Sequence, residues 1–106
     1  MAGFHQEMLD TYDAARRLKP PYTPTEFRRM VTDLGGKEAA DRLLSARNPS
    51  SGFTELYLRG KENLKLSVEY LVLRSPWRTL FTPEQRAIAR RRLLDVECEL
   101  PPVDSE

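Results

Sequence analysis

TPTEFRRMVTDLG, residues 23–35, contains the start, the body and the end of one helix. Thr23 is a suitable N-cap, Pro24 fits the first helical position, and Glu26 completes a capping box. Gly35 suits the left-handed residue that ends a helix. The apolar residues recur at i, i+3, i+4 and i+7, which predicts one core-facing stripe: Phe27, Met30, Val31 and Leu34.

Similar patterns predict a helix on either side of this stretch. Residues 2–18 carry apolar groups at helical spacing and stop before Pro20, because proline disfavours helical angles in the residue before it. Residues 37–46 form a short third helix of small and medium apolar residues. A fourth helix of about two turns begins after Ser50 or Ser51 and ends near Gly60.

The second half of the chain is predicted in the same way. Residues 61–65 are a polar link, and residues 66–73 hold six apolar residues in eight, which indicates a buried helix capped by Ser67. A strand is the alternative there, since a short apolar run is ambiguous. A turn over residues 77–81 leads to a last helix from Pro83 to about Glu97, opened by a second capping box.

Five or six short helices joined by links of a few residues predict an all-α, compact single domain over residues 1–97. Residues 98–106 have no periodicity and carry acidic groups, which is typical of a flexible tail. No internal repeat is visible, so a solenoid is not expected.

Composition excludes several classes of protein. The chain has 106 residues, one Cys (Cys98) and one His (His5), so it forms no internal disulfide and lacks the ligands of a structural zinc site. No apolar run is long enough for a bilayer span or a secretion signal. We therefore expect a cytoplasmic protein without a metal or another cofactor, and without a membrane partner.

Charge is unevenly distributed along the chain. Residues 1–94 hold all 17 basic and 11 acidic residues, whereas residues 95–106 hold five acidic residues and no basic ones. Four arginines lie within seven residues of the last helix, and this Arg cluster predicts a contact with nucleic acid or another anion: Arg86, Arg90, Arg91 and Arg92. The alternative is internal pairing, for example of Arg91 with Asp95 at i+4.

Four aromatic residues are candidates for a protein interface. A small core does not require all of them, and any that remain exposed would be natural anchors for a partner: Tyr57, Tyr70, Trp77 and Phe81.

Few residues suggest catalysis. Gly35 and Gly36 lack the spacing of a phosphate-binding loop and indicate a turn between helices. His5 is expected at the surface, and acidic neighbours are expected to raise the pKa of Cys98. Two carboxylate groupings are possible acid–base or metal pairs, although both are more typical of solvated helix charges: Glu38 with Asp41, and Glu62 with Glu69.

Four short blocks of sequence, taken in their order along the chain, can be compared with known proteins. They are GGxEAA from residue 35, PSxGFT from residue 49, LSVExLVL from residue 66 and LFTxE from residue 80. In this order they resemble a widespread group of small, uncharacterised bacterial proteins. The resemblance covers about residues 22–95 and implies a bacterial, helical domain, but it supplies no catalytic residue.

These observations favour a non-catalytic protein-interaction or regulatory module whose partner is another protein. The alternative is a nucleic-acid-associated protein that uses the Arg cluster and shields it with the acidic tail. An enzyme, or an enzyme accessory, is the third hypothesis.

Overall fold

The computed structural model describes residues 2–18, 23, 25–74 and 77–101. Within these ranges the chain forms six α-helices and two 3₁₀ helices, and no strand. The elements are α1 (Ala2–Ala15), α2 (Thr25–Leu34), α3 (Gly36–Ser45), α4 (Ser51–Leu58), a first 3₁₀ helix (Lys61–Leu66), α5 (Val68–Leu73), a second 3₁₀ helix (Trp77–Leu80) and α6 (Pro83–Asp95). The predicted all-α class is confirmed.

The first three helices pack on one another through the predicted stripes. Phe4, Met8 and Ala15 of α1 are buried, at the spacing that places them on one face. α2 buries only Val31 completely, and Leu34 is 37% exposed at the end of the helix, so its assignment to the core stripe was wrong. Pro24, predicted at the first position of this helix, lies outside the described residues.

The turn between α2 and α3 requires glycine twice. Gly35 has φ +88°, a conformation that side chains disfavour, and it stands at the N-cap of α3. Gly36 lies against α1, where a Cβ atom would come within 2.8 Å of the His5 Cα atom. The predicted turn between helices is confirmed, and its close approach fixes α3 against α1.

The segment predicted to be a polar link is the first 3₁₀ helix. Its charged side chains Lys61, Glu62 and Lys65 are exposed, but Leu64 is completely buried in the core. Leu64 therefore anchors to the core a segment whose sequence shows no helical periodicity.

Ser50, one of the two serines predicted to cap α4, is its N-cap, because its Oγ atom accepts a hydrogen bond from the Phe53 N–H.

The predicted buried helix is α5, and the strand alternative was wrong. All six of its residues are buried, and it packs against α6 and α3. Ser67 caps it by accepting a hydrogen bond from the Tyr70 N–H at 3.2 Å. The capping box of α6 is present as predicted, with reciprocal hydrogen bonds between Thr82 and Gln85.

The end of α6 folds back onto the domain. Cys98 and Pro101 are buried and Leu100 packs against the core, so residues 98–101 are not the flexible tail that was predicted. Residues 102–106 lie outside the described residues. The described chain is compact, with a radius of gyration of 12.7 Å. A bilayer span takes about 20 apolar residues, and no helix in the described ranges meets that requirement.

Candidate functional site

The Arg cluster of α6 does not form one exposed face. Arg92 is only 4% exposed, and its Nη1 atom donates to Glu69 Oε2 at 2.9 Å and to the Leu43 carbonyl at 3.1 Å. Its Nη2 atom donates to the Ala46 carbonyl at 2.6 Å. Arg92 thus joins α6 to α5 and to the end of α3, and its assignment as an anion contact was wrong.

The other three arginines of the cluster differ from one another. Arg86 is half-buried and donates to the carbonyls of Arg78 and Phe81, so it serves the turn before α6. Arg90 and Arg91 are exposed. Arg91 and Asp95, which the sequence predicts to pair, form no ion pair within the described residues. Arg90 and Arg91 therefore have no ion-pair partner among the described residues, and their exposed side chains can contact an anion.

Three of the four candidate interface aromatics belong to the core. Tyr70 and Phe81 are buried, and half-buried Trp77 packs edge-on against Phe4 with ring centroids 5.7 Å apart. Tyr57 is 42% exposed, and the adjacent Leu58 is 70% exposed. The core therefore uses more of the aromatic residues than the sequence analysis expected. The exposed apolar residues Tyr57 and Leu58 lie on α4.

A cavity of about 310 Å³ opens between α2 and α4, and we call it the α2–α4 cavity. It exists because α2 packs on α1 and α3, whereas α4 packs mainly on the first 3₁₀ helix. Half-buried side chains of α2 face buried side chains of α4 across it. Its wall is largely apolar and includes six large apolar side chains: Phe27, Met30, Leu43, Phe53, Leu56 and Leu66.

Three of the polar groups in this wall have structural partners. The Ser50 hydroxyl caps α4, and the Ser67 hydroxyl both caps α5 and donates to the Leu64 carbonyl at 2.6 Å. Glu69 lines the cavity but is paired with Arg92. Burial raises the pKa of Glu69, while its own backbone N–H and Arg92 act in the opposite direction. The cavity is therefore largely apolar, with Ser50, Ser67 and Glu69 held by structural partners and Glu26 as an exposed carboxylate in its lining.

Two cations contact one aromatic ring of α1. The guanidinium carbons of Arg16 and Arg28 lie 5.9 and 5.5 Å from the centroid of the Tyr12 ring. Arg16 extends from the chain just after α1, and Arg28 belongs to α2; both are exposed. We call Arg16 and Arg28 the arginine pair.

The remaining candidates have structural roles. His5 is half-buried and its Nδ1 atom accepts a hydrogen bond from the Gly36 N–H at 3.1 Å, so the expected surface histidine was wrong. Asp41 pairs with Lys37, and Glu38 pairs with Arg42. No three metal-ligating side chains come together in the described part of the chain.

The second carboxylate grouping is divided by burial. Glu69 is 3% exposed, whereas Glu62 is exposed on the first 3₁₀ helix.

Cys98 is buried, and burial is the main cause that raises the pKa of its thiol. Lys61 and Lys65 lower that pKa and Glu99 raises it, so the expected direction was right but burial, not acidic neighbours, dominates.

Sequence reasoning missed the α2–α4 cavity, because its wall is drawn from five segments that are far apart in the chain. The local signal in the sequence that bears on the cavity is that Phe27 and Met30 lie at one edge of the apolar stripe of α2. No family model, no curated protein and no solved structure matches the chain. The resemblance to uncharacterised bacterial proteins therefore stays a prediction.

Proposed function

We propose that this protein is a small, non-catalytic protein-interaction module that binds apolar side chains of a partner protein in the α2–α4 cavity. The observation that carries the proposal is the concave apolar wall formed by Phe27 and Met30 of α2 and by Phe53 and Leu56 of α4. Apolar concavities of this kind are the usual sites of binding, because burying apolar surface drives association.

The size of the cavity favours side chains over a large ligand. A volume of about 310 Å³ is at the lower end of the range for small-molecule pockets, about 300–1,000 Å³. One or two apolar side chains of a partner segment would fill it. Tyr57 and Leu58 add exposed apolar surface on α4, which suits the rim of an interface.

Three polar groups of the cavity, Ser50, Ser67 and Glu69, are suited to structure rather than to catalysis. A general acid, base or nucleophile must be free to exchange a proton or attack a substrate. Ser50 and Ser67 are held as helix caps, and Glu69 is held by Arg92. Burial of Arg92 likewise weakens the nucleic-acid alternative, because it removes one guanidinium from the proposed phosphate contact.

Site-specific photo-crosslinking in the cells that make the protein tests this proposal. The photoreactive residue p-benzoylphenylalanine replaces Ser51, which is exposed and lines the cavity. The matched control replaces Thr54, which is exposed on the same helix but does not line the cavity. We expect discrete protein adducts from position 51 and few from position 54.

Two results would contradict the proposal. Equal labelling from both positions would show that α4 has no preferred binding side. Adducts to nucleic acid in place of protein would favour the alternative, in which the exposed Arg90 and Arg91 make the contact. Thermal unfolding of both substituted proteins verifies that each remains folded.

A further inference from the structure

The described residues that line the α2–α4 cavity include two charged side chains, and both are acidic. Glu26 and Glu69 line it, whereas no described lysine, arginine or histidine does. The arginine pair contacts the Tyr12 ring and is not part of this lining. The charged side chains that an occupant of the cavity meets are therefore negative.

The two carboxylates differ in what balances their charge. Glu69 is 3% exposed and pairs with Arg92 at 2.9 Å, so its charge is compensated within the domain. Glu26 is exposed and forms no ion pair within the described residues. Glu26 is therefore the charge of the lining that a partner can bind.

The surroundings of Glu26 offset its charge only in part. The positive end of a helix is equivalent to about half an elementary charge, and Glu26 lies in the first turn of α2. Arg29, one turn further along α2, is exposed and forms no ion pair with it. The first turn of α4 also lines the cavity, but its Phe53 N–H already donates to Ser50.

Glu26 is close to the apolar wall of the cavity. Phe27 follows it directly, and Met30 lies at i+4 on the same side of α2. Cβ atoms at this spacing are about 5–6 Å apart, and consecutive Cα atoms of a partner chain are about 3.8 Å apart. One partner residue can therefore pack on Met30 while a residue one or two positions away reaches Glu26.

We infer that the partner segment carries a Lys or Arg that binds Glu26, beside the apolar residue that enters the α2–α4 cavity. This inference rests on the proposed function and specifies the chemistry of the partner. Lysine and arginine lay their aliphatic stems along apolar surface while the charged end stays in water. Such side chains suit an exposed carboxylate in a largely apolar lining.

Selection from a phage-displayed library of random peptides tests the inference on the full chain. Peptides that still bind Ser51→Trp are removed, because a bulky side chain at this lining position obstructs the cavity. We expect the remaining peptides to be enriched in a large apolar residue with Lys or Arg one or two positions from it. The same selection on Glu26→Lys should lose that enrichment and favour Asp or Glu.

Thermal unfolding verifies that each variant is folded. Thr25→Trp, at another exposed position of the lining, replaces Ser51→Trp if that variant is unfolded.

Asp33 provides the matched control for Glu26. It is exposed on the same helix, forms no ion pair within the described residues and does not line the cavity. Glu26→Gln and Asp33→Asn each remove one negative charge. We expect Glu26→Gln to weaken a selected basic peptide about two- to fivefold, as for exposed charge pairs, and Asp33→Asn to change its affinity less than about 1.5-fold. The effect of Glu26→Gln should shrink as salt is raised, since exposed charge pairs are screened.

The outcomes separate the inference from the proposed function. Cavity-dependent peptides without basic enrichment, or an equal loss of affinity in Glu26→Gln and Asp33→Asn, would overturn the inference and leave the proposed function standing. The absence of any peptide sensitive to the obstructing tryptophan would overturn the proposed function, and the inference with it. Basic enrichment that depends on Glu26 and not on Asp33 supports both.

Discussion

At the scale of single residues, Arg92 shows how burial changes the role of a charge. Its guanidinium group reaches one carboxylate and two backbone carbonyls, and these partners come from α5 and from the end of α3. Removing one member of a buried pair is costly, because the other charge is left in a poor solvent for ions. We therefore place Arg92 among the residues that hold the helices together.

The first prediction concerns Arg92→Met. We expect the free energy of unfolding to fall by about 3 kcal/mol at neutral pH, since Glu69 and two carbonyls lose their donor. Arg42→Met is the control, because Arg42 pairs with Glu38 at the surface and should contribute about 0–1 kcal/mol. Urea unfolding measures both variants, and equal losses would contradict the buried role of Arg92.

The same variant has a predicted pH dependence. Burial raises the pKa of Glu69, and Arg92 opposes that shift, so the pKa rises further in Arg92→Met. A carboxyl with a raised pKa in the folded state loses its stabilising contribution as the pH rises through that value. The deficit of Arg92→Met should therefore shrink as the pH is lowered toward about 4, the ordinary glutamate range. Glu69→Gln/Arg92→Met should show no such trend.

The second prediction concerns His5, which accepts a hydrogen bond from the buried Gly36 N–H. His5→Ala should lower the free energy of unfolding by about 1–2 kcal/mol, because a buried donor is left without an acceptor. His5→Asn should recover much of this loss, since its amide oxygen occupies a position similar to Nδ1. Thermal unfolding compares them with Gln6→Ala, which alters an exposed neighbour and should have a small effect. A loss no larger than that of Gln6→Ala would refute this role.

At the scale of elements, the end of α6 explains why residues 98–101 pack on the domain. The Cys98 N–H donates to the Leu93 carbonyl and the Glu97 N–H donates to the Leu94 carbonyl. This is a Schellman motif, in which the residue after the helix adopts the left-handed conformation, and Glu97 has φ +58°. The motif turns the chain back, so that Cys98 enters the core beside Leu93.

The third prediction follows from this conformation. Glu97→Gly should raise the free energy of unfolding by about 0.5–1 kcal/mol, because glycine adopts a positive φ without the steric cost that other residues carry. Glu99→Gly is the matched control, since it removes the same charge at a position without positive φ. Chemical denaturation measures both, and a destabilised Glu97→Gly would contradict the motif.

At the scale of the whole molecule, residues far apart in the chain complete one core. Leu64 of the first 3₁₀ helix, Phe4 of α1 and Cys98 after α6 belong to the same buried cluster. Beside this cluster, α2 and α4 border the α2–α4 cavity together with residues of α1, α3, α5 and the first 3₁₀ helix. The proposed function therefore depends on the arrangement of the whole domain.

The fourth prediction uses Cys98 as a reporter of this arrangement. The buried thiol, with its raised pKa, should react with iodoacetamide about tenfold or more slowly than an exposed one. The comparison is Cys98→Ala/Thr54→Cys, which moves the single thiol to an exposed site on α4. Alkylation of Cys98 should accelerate across the urea unfolding transition. Equal rates in the absence of urea would show that residues after α6 do not pack on the core.

The sequence alone determined the helices and several of their ends. Caps depend on one side chain and the next three residues, so Ser50, Ser67 and Thr82 could be identified without knowledge of the fold. The amphipathic stripes predicted most of the residues of α1, α2 and α3 that face the core; Tyr12 of α1, which was expected there, is half-buried outside the core cluster, and Leu34 at the end of α2 is exposed. These features are local, because each depends only on residues a few positions apart in the chain.

Only the tertiary structure decided which charges are paired and where a partner can bind. The burial of Arg92, the acceptor role of His5 and the contact of Arg28 with the Tyr12 ring each depend on residues from another part of the chain. The α2–α4 cavity is likewise a gap between helices, set by how each packs on its neighbours. Such contacts join positions distant in sequence, and spacing within one helix carries no information about them.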